Sequence, residues 1–258
     1  MKIRFLGSGT AGCKIKKKNT KEFRRRTTLF VDEKILINPT MDIFDFEATF
    51  NLTGMFRRIS AILVTDTLSL DIEAIRTLTQ KNAIPVLASA FVLNQLSDCE
   101  GVRAAYLTPF NLAQLGEYKI LPLPLGRKTE NARECPLCFY ISRDKNLFYA
   151  TPGGMLRYDA WQLLGKLGTD ESMKLDVVVL DGSRGDAPFG AEDFEALSLE
   201  GAVLTKRTLQ SGGVAAEHCR FIVSNLPTDK KKNNHEEWLP YAEEKGLTLC
   251  YDGYFVGM

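Results

Sequence analysis

Hydrophobic positions along this chain fall into short unbroken runs separated by stretches of helical period. "MKIRFLGSGT" predicts a strand closed by a glycine turn, and "RTTLFVDEKILINPT" predicts two strands around a tight turn at Asp32–Glu33 that end at Pro39. "ISAILVT" has no polar alternation, the pattern of a strand buried on both faces. In "DIEAIRTLTQKNA" apolar residues stand at 72, 75 and 78 behind Asp71, which predicts a helix with Asp71 as its N-cap. "IPVLAS" is the next strand and "AFVLNQLSD" the helix after it.

The middle of the chain is strand-rich: "AAYLTP", "EYKILPLPL", "LCFYISRD" and "KNLFYATPGG", with a turn at Arg143–Lys145. A helix over "YDAWQLLGKLG" leads into "LDVVVLDGS", the second strongly buried strand. "AEDFEALSLEGAVL" reads as helical, "CRFIVSN" as a strand, and "HEEWLPYAEEKG" as a helix stopped by Gly246. The tail "LTLCYDGYFVGM" reads as a closing pair of strands.

No Pro/Gly/Ser linker and no short-period repeat divides the sequence, so residues 1–258 read as a single domain. Strand blocks followed by single helices, twice over, predict an α/β protein. Its arrangement is a four-layer αββα sandwich, with two mixed β-sheets packed together and helices on the outer faces. That differs from a doubly wound Rossmann sheet, and the glycines of "GSGTAG" are accordingly read as a turn and not as a dinucleotide site.

Composition sharpens the class. With 45% hydrophobic and 25% charged residues, the chain has enough apolar surface for a real core. A net charge of +1 gives no global field toward nucleic acid. The N-terminus lacks a signal-peptide core, and no apolar run approaches the roughly 18 residues of a membrane-spanning helix. No membrane contact is expected. Six cysteines without secretion signals read as reduced thiols, hence a cytoplasmic protein. Cys135 and Cys138 in "CPLC" lack the second pair that a zinc ribbon needs, and read as ordinary thiols. Only two histidines are present, so chemistry requiring a cluster of imidazoles is excluded within one chain. His218 and His235 both read as solvated or partly satisfied side chains.

Charge is unevenly placed. Residues 14 to 26, "KIKKKNTKEFRRR", carry one acid, Glu22, among eight bases. Lys16, Lys17, Lys18, Arg24, Arg25 and Arg26 are therefore candidate contacts to a phosphate or other polyanion, against the plainer reading of a solvated loop. Phe23 is the one aromatic among them, too few for a dedicated single-strand binder.

The order of "FLGSGTAG", "RRRTTLFVDEKILIN", "AILVTDTLSLDI", "LFYATPGGML", "DVVVLDGSRGD", "FGAEDFEAL", "FIVSN" and "LCYDGYFV" resembles the metallo-β-lactamase fold superfamily across nearly the whole chain. The likeness is to its phosphodiesterase-like and bacterial hydrolase branches. That family binds two divalent metals through HxHxDH and later histidines. Imidazoles and a bridging carboxylate fix the ions and leave a position for water.

Laid over this sequence, the resemblance puts the motif's ligands on Asp66, Leu68, Leu70 and Asp71. The next histidine falls on Gly126 or Arg127, the bridging aspartate on Pro152, and a further histidine near Pro188. The terminal threonine–histidine pair falls on Ser224–Asn225. Leucine and proline side chains have no donor atom. On this mapping no metal is expected, although Asp66 and Asp71, with Asp181 or Asp186, leave open a sparse site for Mg, Mn or Zn.

Three functions follow. One is a non-catalytic pseudoenzyme that binds or regulates, taking a small phosphorylated or other anionic ligand. Another is a phosphodiesterase-type hydrolase with a non-standard metal site or none, whose paired carboxylates Asp66 and Asp71, with Asp181, are its catalytic candidates. The third is a polyanion or nucleic-acid binder using the 14–26 segment. The resemblance also implies a homodimer.

Overall fold

The computed structural model describes residues 1–10, 20–80, 83–228 and 234–258. Lys16, Lys17 and Lys18 lie outside the described residues.

The chain opens with β1 (Lys2–Gly7), β2 (Thr28–Val31) and β3 (Ile35–Ile37). The β2–β3 turn places Asp32 and Glu33 at φ of 50° and 55°. Both central residues are thus left-handed, as a turn matching strand twist requires. Helix α1 (Asp42–Thr49), β4 (Ala61–Leu63), α2 (Ile72–Thr79), β5 (Pro85–Ala88), α3 (Ala90–Asn94) and β6 (Arg103–Tyr106) follow.

A second block begins with β7 (Ala113–Leu115), β8 (Tyr118–Pro124), β9 (Leu137–Ser142) and β10 (Asn146–Ala150). It continues through α4 (Tyr158–Leu167), β11 (Leu175–Asp181), α5 (Leu199–Ser211), β12 (Ala215–Ser224), α6 (Asn234–Glu244), β13 (Thr248–Leu249) and β14 (Phe255–Gly257).

Over the described residues the strands form two seven-stranded sheets, ordered β14-β1-β2-β3-β4-β5-β6 and β13-β12-β11-β10-β9-β8-β7. In each, one half is antiparallel and the other parallel, with the change of direction at β3 and at β10. Both sheets are mixed, and helices cover their outer faces, as the αββα reading expects.

Alternate residues of each strand serve different layers. Phe139, Ile141, Val177 and Val179 meet Ile3, Phe5, Leu29 and Val31 between the sheets. Cys138, Tyr140, Val178 and Leu180 point the other way and pack with Leu164, Leu199 and Trp238 of the outer helices. Leu36, Ile62 and Val86 do the same on the first sheet, against Ile43, Phe46 and Ile75. Both faces are apolar, so the strands show no alternation in sequence.

Four elements differ from the sequence expectations. Helix α1 and strand β7 were not foreseen. The stretch from Ala191 to Leu204 is not one helix: a short 3-10 turn over Ala191–Phe194 stops, and α5 starts anew. The buried Asp193 carboxylate accepts from Ser198 N at 2.6 Å and Ser198 Oγ at 2.7 Å, and Ser198 in turn caps α5. The closing strands do not pair with each other, since β13 lies beside β12 and β14 beside β1. Among the described residues no helix is long and apolar enough to cross a membrane.

Two glycines predict opposite outcomes. A Cβ on Gly7 would stand 2.0 Å from Arg26 O, a backbone atom that cannot turn aside. Gly7→Ala should cost about 1–3 kcal/mol or more. In α4 a Cβ on Gly165 meets nothing within 4 Å, and Gly165→Ala should gain up to about 1 kcal/mol. Urea-denaturation midpoints of the two variants check both signs.

Candidate functional site

The carboxyl ends of β3, β4, β8, β10, β11 and β12 run into loops that share one cleft of about 460 Å³. Open α/β sheets place their ligand sites at this end of the strands. Its lining includes Arg26, Asn38, Leu68, Ser69, Asp71, Arg127, Pro152, Ser183 and Asn225.

After β4 the chain folds around Asp66, which is fully buried. Its carboxylate accepts from Thr65 Oγ1 at 2.7 Å, Ser69 N at 2.9 Å and Ser69 Oγ at 3.1 Å. The bond to Ser69 N caps a short 3-10 turn over Thr67–Ser69. Glu134 braces the same turn, accepting from Thr67 N at 2.7 Å and Thr67 Oγ1 at 2.6 Å. Arg127 completes the arrangement: its Nη1 lies 3.1 Å from Asp66 Oδ2, 3.2 Å from Ser69 Oγ and 3.1 Å from Pro152 O.

Asp71 is the expected cap of α2, accepting from Ala74 N at 3.1 Å. Its other oxygen accepts from Met41 N at 3.1 Å and meets Arg26 Nη2 at 2.9 Å. Asp66 and Asp71 therefore face separate partners, and no hydrogen bond joins them.

Asp181, at the end of β11, is also fully buried. It accepts from Ser183 Oγ at 2.6 Å, Leu197 N at 3.0 Å and Asn225 Nδ2 at 2.6 Å. Burial raises its pKa above the ordinary carboxylate range, against the pull of Ser183, Asn225 and Arg127. Asn225 sits at φ 57° after β12 and takes a bond from Thr27 Oγ1 at 3.2 Å. Asp186 is exposed and lines a different hollow with Trp238 and Tyr241. Leu68 stands 48% exposed at the cleft, with Leu70 and Pro152 beside it. Among the described residues no three His, Cys, Asp or Glu side chains gather as a metal-holding group.

Two mixed sheets face to face, helices outside, and a cleft at the strand ends decide the architecture. The chain has the metallo-β-lactamase fold. No family model matches the sequence, and no curated protein matches it either. Several solved structures match over nearly the full length of both chains. The metallo-β-lactamase fold protein YhfI from Bacillus subtilis is 10% identical, with a TM-score of 0.71 over 99% of each chain. Zn(2+)-bound PqqB from Methylobacterium extorquens is 14% identical, with a TM-score of 0.72 over all of both chains. Unliganded yeast PDE1 is 9% identical at a TM-score of 0.67, covering 100% of this chain and 99% of its own. At these identities the likeness is one of fold.

Within the metallo-β-lactamase fold Arg24 and Arg25 are buried among protein partners, which corrects their reading as solvated or anion-facing, whereas Arg26 stays part-exposed at the cleft. Arg24 is 1% exposed and donates to Ser8 Oγ at 3.0 Å and Cys250 O at 2.6 Å. Its Nη2 lies 2.8 Å from His235 Nδ1. His235 is buried, not solvated. Burial, Arg24 and Lys21 push its pKa down to about 4, so the neutral ring accepts the bond.

Arg25 is buried between Asp45 at 2.5 Å and Asp252 at 3.1 Å, and stacks on Phe23. Arg26 reaches the cleft, held by Asp42 and Asp71. His218 is exposed, as expected.

Sequence reasoning placed Arg127 only as one of two positions aligned with a histidine and gave it no role. Ser69, Ser183 and Glu134 were missed as positioning groups. The available signal was the serine- and threonine-rich flank of each aspartate, because a buried carboxylate needs donors.

Two predictions follow from these contacts. Asp66→Ala removes the anion facing Arg127 and the cap on Ser69 N, and should cost about 2–4 kcal/mol. Arg127→Ala should cost a comparable amount by stranding Asp66, and the double variant less than the sum. Denaturant midpoints of the four proteins measure this coupling.

Burial pushes Asp252 up to about 6, against its bonds from Arg25 and Ser8. The folded state then binds more protons than the unfolded state between about pH 4 and 6. This contribution to stability is present below that window and is lost as pH rises through it. The wild-type midpoint should decline across the window relative to Asp252→Asn, whose side chain does not titrate.

Proposed function

We propose that this chain is a metal-independent member of the fold's repertoire, a binding protein and not a hydrolase, whose cleft takes a small anionic molecule. The observation that carries this reading is Arg127. Its guanidinium lies against Asp66 at 3.1 Å, and 127 is one of the two positions, with 126, that the family resemblance aligns with a metal-ligand histidine.

The donor set does not fit the paired divalent ions of the resembled family. Leu68, Leu70 and Pro152 offer no side-chain donor. The oxygens of Asp66 and Asp181 are already taken by hydroxyl and amide donors, and Asp66 is also ion-paired with Arg127. A cation brought to Asp66 would face Arg127 at close range, and like charges at that distance repel strongly in a buried site. No reaction step is therefore routed through a metal.

Nor do the residues supply a metal-free hydrolytic apparatus. Ser69 and Ser183 each donate to a carboxylate, and no imidazole lies beside either to accept a proton. What remains is a polar cleft with an apolar wall, of a size suited to a small molecule.

Metal analysis of protein purified without chelator, with turnover of bis(p-nitrophenyl) phosphate, tests this reading. Neither stoichiometric zinc, manganese or iron nor hydrolysis is expected. Stoichiometric metal that is lost in Asp66→Ala, together with turnover, would overturn it.

A further inference from the structure

We infer that the cleft recognises a small monocarboxylate with an apolar body, seated on the free edge of the Arg127 guanidinium; this rests on the metal-independent reading above. All three protein contacts of Arg127 run through Nη1, to Asp66 Oδ2, Ser69 Oγ and Pro152 O. Its Nε and Nη2 have no partner among the described residues, and the side chain is 16% exposed at the cleft. A guanidinium is planar and rigid, so the two Nη1 hydrogen bonds, to Ser69 Oγ and Pro152 O, together with the ion pair to Asp66, fix its plane. The Nε–H and one Nη2–H then project side by side, the spacing that two oxygens of one carboxylate accept.

The surroundings select the rest of the ligand. Exposed Lys128 lines the cleft without a partner among the described residues and adds a positive charge near the fork. Asp71 also lines it but is paired with Arg26, and exposed Glu195, in the same lining, would repel a dianion more than a monoanion. Thr40, 6% exposed in the lining, has a buried hydroxyl with no partner. Such a group is costly to leave unmade and is met by a polar atom of a ligand or by water. Leu68 is 48% exposed, and with Leu70, Pro152 and Ala196 forms an apolar wall. A leucine left open beside a cationic fork suits an alkyl or aryl chain ending in a carboxylate.

Isothermal titration of the full chain with octanoate, acetate and inorganic phosphate, at constant ionic strength, tests the inference. Octanoate should bind, acetate more weakly for want of an apolar body, and phosphate most weakly. Arg127→Lys keeps a cation for Asp66 but removes the side-on fork, and should weaken octanoate by about tenfold or more. Leu68→Glu puts an anion on the exposed wall and should weaken octanoate similarly, with its denaturation midpoint unchanged. Octanoate affinity indifferent to both variants, or phosphate preferred to octanoate, would overturn the carboxylate site. A metal-free chain that binds no octanoate removes the ligand class and leaves the metal-independent reading standing. Stoichiometric metal, with octanoate binding abolished by a chelator, removes both.

Discussion

A carboxylate closed off from water needs a cation or several donors, and Asp66 has both. It is fully buried at the end of β4, and its partners are Arg127, Ser69 and Thr65. An isolated buried carboxylate would cost several kcal/mol, so the loop from Thr65 to Asp71 is shaped to prevent that. Ser69 folds back to donate through both its amide and hydroxyl, which makes the 3-10 turn and leaves Leu68 at the surface. Arg127 crosses from the loop after β8 and also takes the Pro152 carbonyl. One electrostatic requirement thus joins loops from β4, β8 and β10 into a single floor.

The same logic governs the opposite side of the cleft without a cation in contact. Asp181 is satisfied by neutral donors from its own loop, from Leu197 and from Asn225. Burial raises its pKa, against the pull of Ser183, Asn225 and the more distant Arg127. The two buried aspartates are therefore held differently, one as half of an ion pair and one in a nest of hydrogen bonds. Both join loops that follow different strands around the cleft.

Much of the fold was legible because strands buried on both faces are unbroken apolar runs. "AILVT" and "LDVVVLD" could hardly be anything else in a chain of this composition. Helix α1 was not legible: its eight residues, "DIFDFEAT", carry few of the strong helix formers, and it bears only Ile43 and Phe46 as buried anchors. Strand β7 is three residues long and half exposed, too short to show a period. The break before α5 turns on Asp193 reaching Ser198, a side-chain choice that hydrophobic spacing does not record.

Long-range partners were hidden for a different reason. "RRR" reads as a solvated patch until Cys250, Asp252 and His235, more than 200 residues away, are seen to enclose Arg24 and Arg25. In the site, the leucines at 68 and 70 were readable as lost donors. The positive charge that balances Asp66 was not readable, since it arrives from a residue 61 positions along the chain.

What a guanidinium does in this place separates recognition from reaction. A divalent metal offers charge together with exchangeable coordination, so it can bind water, lower its pKa to about 7 and present hydroxide. Arginine offers charge and directional N–H groups, stays protonated at any ordinary pH, and has no position at which water becomes acidic. With Nη1 tied to Asp66, Ser69 and Pro152, the group is also fixed in orientation. A fixed, permanently charged fork is well suited to hold an oxyanion and poorly suited to activate a nucleophile. On the proposed reading, then, the loop "TDTLSLD" retains the scaffold's geometry while its charge comes from Arg127, and the chemistry available to the cleft narrows from hydrolysis to binding.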